Sequence, residues 1–280
     1  MKIIRIPEDM QQFSRETRRS GKRLGFVPTM GALHAGHLSL VKMARERSDC
    51  VVVSIFVNPL QFGPTEDFSK YPRTFERDCQ LLEAEGVDTV FAPTVEMMYP
   101  RGAKTTVEVA EISDRLDGVS RPGHFKGVTT VVSKLFNIVG PDFAFFGQKD
   151  AAQVAILRRM VRDLNVDLQI VVGPIVREAD GLAMSSRNAY LSPEERKQAL
   201  VLQRALARVQ FLVGRGESDV KSLIDAGKQV VAEEPAAKLD YLEIIDPDTL
   251  EPVSALSSGA LVAVAAWIGA TRLIDNVLLP

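Results

Sequence analysis

Cysteine is nearly absent: Cys50 and Cys79 are the two in 280 residues, without Cys-x-x-Cys spacing or histidine partners nearby. That excludes a disulfide framework and a thiolate metal site, and leaves two reduced packing cysteines, neither a nucleophile. Charge of one sign is lacking too. Lys and Arg (34) nearly balance Asp and Glu (36), so no basic field advertises nucleic acid or an anionic membrane as the main partner. No run of 18 apolar residues occurs, and Met1-Lys2-Ile3-Ile4-Arg5 leads straight into a charged helical stretch with no signal-like apolar region. The expectation is a soluble, cytoplasmic protein. Internal repeats, heptads and low-complexity segments are missing as well. What is present is a chain 46% hydrophobic, enough for a large core and most readily for two domains, with a small molecule as the fitting ligand.

Apolar runs at 24–27, 51–57, 89–91, 143–146 and 168–172 alternate with helical patterns that start near Gly36 and Thr74 and span 128–139 and 151–164. Continuous rather than alternating apolar runs suit strands covered on both faces. This predicts an α/β fold with a doubly wound parallel sheet over residues 1–175. Past Gly173-Pro174 the character changes. Ser192-Pro193-Glu194-Glu195 combines an N-cap, a first-turn proline and a capping-box glutamate, predicting one long helix to Gly214 or Gly216. A helix over 220–233 and strands at 241–245, 261–267 and 272–277 complete a smaller α+β domain, 176–280, with hairpin character. The loops 59–72 and 93–105 are long enough to be functional or mobile.

Two of the three histidines fall in Pro28-Thr29-Met30-Gly31-Ala32-Leu33-His34-Ala35-Gly36-His37, where a parallel strand hands over to a helix and backbone N–H groups face a phosphate. Three apart at a helix start, His34 and His37 share one side beside its positive end and can stabilise developing negative charge. The alternative is one capping and one surface histidine. A metal site there lacks an acidic or Cys residue to complete it. Gly147-Gln148-Lys149-Asp150 also follows a strand, placing the Lys149 ammonium at a carboxyl end, although such a turn is often only a solvated loop. Met184-Ser185-Ser186-Arg187 offers two hydroxyls and a bidentate guanidinium to a triphosphate, or is an ST-turn with a solvated arginine. Asn58-Pro59-Leu60-Gln61-Phe62-Gly63 follows the run 51–57, where Asn58 and Gln61 can fix an uncharged or carboxylate-bearing substrate or form a plain turn. His124, in Arg121-Pro122-Gly123-His124-Phe125, reads as structural or lid-forming.

Taken together, in this order and spacing, these segments resemble the pantoate–β-alanine ligase family of the nucleotidylyl-transferase superfamily. The resemblance covers nearly the whole chain and is strongest across 28–37, 56–63, 121–128, 145–153 and 176–187. It implies a Rossmann-like N-terminal domain, a smaller C-terminal domain closing over the site, a homodimer, and Mg²⁺-ATP as co-substrate. By position, Met30 through His37, Gly147 through Asp150, Val176, and Met184 through Arg187 are ATP contacts. Gln61 and Gln153 hold pantoate, and Gln61 also touches β-alanine. The relatives' Mg²⁺-associated acidic cluster follows Tyr-Pro-Arg-Thr; here that stretch is Tyr71-Pro72-Arg73-Thr74-Phe75-Glu76-Arg77-Asp78. Arg77 stands where some relatives have an acid, so Asp78 alone carries over as a metal ligand.

The resulting expectation is ATP-dependent condensation of pantoate with β-alanine through an enclosed pantoyl adenylate. His37, supported by His34, and Lys149, Ser185, Ser186 and Arg187 converge on one polyphosphate. The competing readings are a nucleotidyltransferase that passes AMP or CMP to a phosphate, an aminoacyl-tRNA synthetase-like ligase, which the near-neutral charge disfavours, and a non-catalytic nucleotide sensor on the same fold.

Overall fold

Each of the five apolar runs in the N-terminal part forms a parallel strand. In the computed structural model, β1 (Lys2–Ile4), β2 (Leu24–Thr29), β3 (Cys50–Ile55), β4 (Thr89–Phe91), β5 (Phe143–Gly147) and β6 (Gln169–Gly173) build one sheet in the order β1-β4-β3-β2-β5-β6, with every pairing parallel. The structure describes residues 1–64, 66–256 and 258–280; Thr65, inside the predicted loop 59–72, and Ser257 lie outside the described residues. Val51, Val52, Val53 and Ser54 of β3 are wholly buried, as a strand covered on both faces requires. The chain steps from β2 to β3 to β4 on one side, then returns so that β5 pairs with β2 on the other. The carboxyl ends of β2 and β5 therefore form the sheet's topological switch point, where such folds bind ligands.

Strand β1 departs from expectation. Lys2–Ile4, read as the approach to a helix, pairs with Thr89–Phe91 at the sheet edge, and the helix starts only at Pro7.

Two compact units divide the chain: Met1–Gly147 with Ile156–Pro174, and Gln148–Ala155 with Ile175–Pro280. The second contains the antiparallel sheet β7 (Ala237–Ile245), β8 (Leu261–Ile268) and β9 (Thr271–Leu278), in that order, with β8 and β9 forming the expected hairpin. Its core joins Leu202, Leu206 and Val209, Leu223 and Val231, and the β8 residues Val262 and Val264. Burying each such side chain contributes roughly 1.5–3 kcal/mol. The capping box at Ser192 forms as predicted: Ser192 N donates to Glu195 Oε2 at 2.8 Å and Glu195 N to Ser192 Oγ at 3.2 Å. The helix it starts is not one long helix. Pro193–Ala199 and Val201–Gly214 are separated at Leu200, whose ψ of −12° and i→i+3 bond to Lys197 O tighten the last turn. Among the described residues no helix is long and apolar enough to cross a membrane.

Candidate active site

β2 runs into the loop at Met30, and the helix Ala35–Arg47 follows. Gly31 (φ +85°) and Ala32 (φ +52°) are both left-handed, a conformation that costs a non-glycine residue about 1–2 kcal/mol and persists only where surroundings enforce it. Asp78 enforces it. Its fully buried carboxylate accepts from Ala32 N and Leu33 N at 2.9 Å each and from Thr74 Oγ1 at 3.1 Å. Thr29 Oγ1 adds a second brace, donating to Ser54 O at 2.7 Å and accepting from Gly31 N at 3.1 Å. Asp78 thus braces the loop, a role that the resemblance did not reveal. Among the described residues, no group of three His, Cys, Asp or Glu is placed to hold an ion.

The helix Ala35–Arg47 is capped by imidazoles. His34 Nδ1 accepts from Gly36 N at 3.2 Å, and His37 Nδ1 accepts from His34 N at 3.4 Å. A ring nitrogen that accepts an N–H carries no proton, so each neutral ring bears its hydrogen on Nε2. The ring centroids lie 4.1 Å apart. Both rings lie at the positive end of a helix, where negative charge is favoured. Capping, one of the alternatives in the sequence, occupies Nδ1 of both rings.

After β3, Asn58 opens a short 3₁₀ turn, Pro59–Gln61. The Asn58 amide is buried and saturated: Nδ2 donates to Gln61 Oε1 and to Gly127 O, both at 3.0 Å, while Oδ1 accepts from Leu60 N (3.2 Å) and from the Tyr99 hydroxyl (2.8 Å). Burial pushes the Tyr99 phenol up and keeps it a donor. Asn58, expected to face the substrate, instead orients Gln61, because no lone pair or proton of its side chain remains to be shared. Gln61 Nε2 lies 3.2 Å from Met30 Sδ, which brings the two predicted contact residues together.

The Gln61 carbonyl is held as well. It accepts from His124 Nδ1 at 2.7 Å and Arg121 Nη2 at 3.2 Å, while Arg121 Nη1 reaches His124 Nε2 at 3.0 Å. Arg121 forks onto Glu66 at 2.6 and 2.7 Å. Burial and then the Arg121 charge lower His124 to about 4, so it is neutral near pH 7. Burial alone would raise the Glu66 carboxyl, but the Arg121 hydrogen bonds and charge bring it below its ordinary value.

In the second unit, Gln148–Asp150 form a 3₁₀ turn ahead of the helix Ala151–Asp163, whose first turn carries the half-buried Gln153. Lys149 Nζ sits 3.9 Å from Asp150 Oδ1. Val176 and Met184 face each other at the stem of a small hairpin: Met184 N donates to Val176 O at 3.0 Å, and Arg177 bridges Ala183. Ser185 Oγ accepts from Arg187 N at 3.2 Å, the ST-turn offered by the sequence, and its hydroxyl proton is still available to donate. Asn188 anchors the segment from behind, Nδ2 donating to Glu178 Oε1 (2.6 Å) and Ala183 O (3.1 Å). Sequence reasoning missed Tyr99, Asp275 and Asn276, each far from any motif in the chain.

The chain matches the family model described as pantoate-beta-alanine ligase over residues 2–278. It is 64% identical over 279 residues to the pantothenate synthetase of Koribacter versatilis, covering 100% of this chain and 96% of that protein. Among solved structures, the pantothenate synthetase from Thermus thermophilus superposes with a TM-score of 0.95 at 47% identity, covering 100% of both chains. The pantoate-beta-alanine ligase from Francisella tularensis, complexed with beta-gamma ATP and beta-alanine, gives 0.82 at 35% identity, covering 99% of this chain and 97% of that one.

Proposed function

The chain belongs to the pantoate-beta-alanine ligase family, and from that premise we propose that it condenses pantoate with β-alanine through a pantoyl adenylate, driven by ATP. A pantoate carboxylate oxygen attacks the α-phosphorus in line, and the bond to pyrophosphate breaks. The β-alanine amine then attacks the acyl carbonyl, forming the amide and expelling AMP. Direct condensation fails in water because the carboxylate oxygen is a poor leaving group; adenylation converts it into a good one. No covalent bond to the enzyme is needed, so the protein contributes positioning, charge stabilisation and exclusion of water.

The observation that carries this reading is the His34–His37 pair, whose Nδ1 atoms are tied to the helix start and whose protons therefore sit on Nε2. These donors would stabilise charge at the α/β-phosphates, with Lys149, Ser185, Ser186 and Arg187 serving the same polyphosphate. Gly31, Ala32, Leu33, Ala35, Gly36, Gly147, Gln148, Asp150, Val176 and Met184 would shape the remaining ATP contacts beside Met30, and Gln61 and Gln153 would hold pantoate. Mg²⁺ enters as part of Mg²⁺-ATP, carried on the polyphosphate, which suits an ion that usually takes few protein ligands. The same reading makes the enzyme a cytoplasmic homodimer.

Mass spectrometry of the products from ATP, Mg²⁺, pantoate and β-alanine, with each component omitted in turn, tests it. The expected result is pyrophosphate release that requires pantoate and AMP release that requires the amine. His37→Ala and Lys149→Ala each lower adenylation by about 10²–10³, as for loss of one donor to a developing oxyanion. Wild-type adenylation rates in both variants, or amine-independent transfer of AMP to a phosphate, would overturn the assignment.

A further inference from the structure

Two consecutive residues of β9, Asp275 and Asn276, are 4% and 3% exposed, although a carboxylate and an amide are normally surface groups. Successive side chains leave opposite faces of a strand, so the pair reaches two different segments. Asn276 takes the first. Its Nδ2 donates to Gln148 O at 3.0 Å and to Lys149 O at 2.9 Å, and its Oδ1 accepts from Gln148 Nε2 at 3.1 Å. Both amide protons and the carbonyl of one side chain are thereby committed to the Gln148–Lys149 turn. Asp275 takes the second segment. Its carboxylate accepts from Arg177 Nη1 at 2.7 Å and Nη2 at 3.0 Å, and Arg177 Nη1 also donates to Gly181 O at 3.1 Å. The hairpin so pinned closes at Val176–Met184 and continues directly into Ser185, Ser186 and Arg187.

The geometry points to Asp275-Asn276 as a positioning pair for nucleotide activation: one rigid dipeptide sets the Lys149 turn and the Ser185–Arg187 segment in register, each through its own hydrogen-bond fork. The inference rests on the ligase reading above and adds to it two residues that touch no substrate. An ammonium and a guanidinium that share one polyphosphate must be fixed with respect to each other, because a displacement of about 1 Å in such a constellation costs on the order of 10²-fold in rate. A hydrogen-bonded fork on adjacent residues of one strand supplies that constraint, since the strand cannot move one residue without the other.

Two double-mutant cycles test it, read on pantoate-dependent ATP–pyrophosphate exchange and, separately, on calorimetric binding of α,β-methylene-ATP. Asn276→Ala should lower exchange by about 100-fold through kcat, with the KM for pantoate unchanged. In a Lys149→Ala background the same substitution should cost less than about twofold, because it acts through the residue already removed. Arg177→Lys, which keeps the charge and loses the fork, should couple in the same way to Arg187→Ala. Losses that multiply in both cycles would overturn the proposal and leave the pair as ordinary packing. If Asn276→Ala does not fold, the Arg177→Lys cycle decides alone. If the wild type binds the analogue but releases no pyrophosphate with pantoate, the ligase reading fails while the binding cycles still decide the positioning role. A wild type that binds no analogue overturns both.

Discussion

At the scale of single residues, side chains that look functional divide between those that reach outward and those that hold others in place. Asp78 belongs to the second kind. Removing its carboxylate strands the buried Leu33 N and the part-buried Ala32 N beside a left-handed turn, and an unsatisfied buried donor costs about 1–3 kcal/mol. Asp78→Ala is therefore expected to destabilise the protein by roughly 2–5 kcal/mol in denaturant titration. The Mg²⁺ concentration giving half-maximal activity of the remaining folded enzyme should not change. A marked rise in the Mg²⁺ requirement at unaltered stability would instead make Asp78 a metal ligand. The resemblance singled out Asp78, but a sequence motif carries no hydrogen-bond partners, and the partners show it bracing the loop. Asn58 is similar: its neighbours in sequence pointed to the substrate, whereas Tyr99 and Gly127, 41 and 69 residues away, consume it.

At the scale of elements, docking of the helix His124–Val139 onto the Pro59–Gln61 turn depends on an absent side chain. A Cβ at Gly127 would collide with the Leu60 carbonyl and lie 2.7 Å from Gln61 N, too close for any rearrangement short of backbone movement. Alanine is the better helix former by about 0.8–1.0 kcal/mol, but a clash with backbone outweighs that gain. Gly127→Ala should lower stability by about 1–3 kcal/mol and raise the KM for pantoate, since the displaced turn carries Gln61. An increase in stability with unaltered KM would refute the close approach. Which elements were legible follows the same physics. Strands covered on both faces announce themselves as apolar runs, and Thr89–Phe91 begins and ends where expected. Strand β1 did not, because three residues at a sheet edge bury only Ile4. Leu200 was not visible as a break because it continues the apolar periodicity and stays in the right-handed helical region, the interruption being only its i→i+3 bond to Lys197 O. Of the candidate site, the motif residues were readable and their braces were not, since a brace is chosen by tertiary proximity and leaves no local pattern.

For the whole molecule, the buried polar network around Gln61 couples stability to pH. His124 has an ordinary value of 6.5 and is lowered to about 4 in the fold, by burial and by the neighbouring Arg121 charge. Between those values the unfolded chain binds a proton that the folded one refuses, so stability rises with pH across the window. The contribution is fully present above about pH 6.5 and is lost as pH falls toward 4, amounting to about 3 kcal/mol at 1.36 kcal/mol per unit. Glu66 works in the same direction at lower pH. Its carboxyl is held below its ordinary value by Arg121, so protonating it as pH falls removes the fork that keeps Arg121 on His124 and Gln61. Denaturant unfolding measured from pH 7.5 to 4.5 should therefore show stability level down to about pH 6.5 and falling below it, and His124→Asn, which keeps a donor and an acceptor but cannot titrate, should flatten the slope between pH 6.5 and 4.5. Parallel curves for the two proteins would mean that His124 protonates in the fold as easily as in the open chain, and that the network does not exclude the charge.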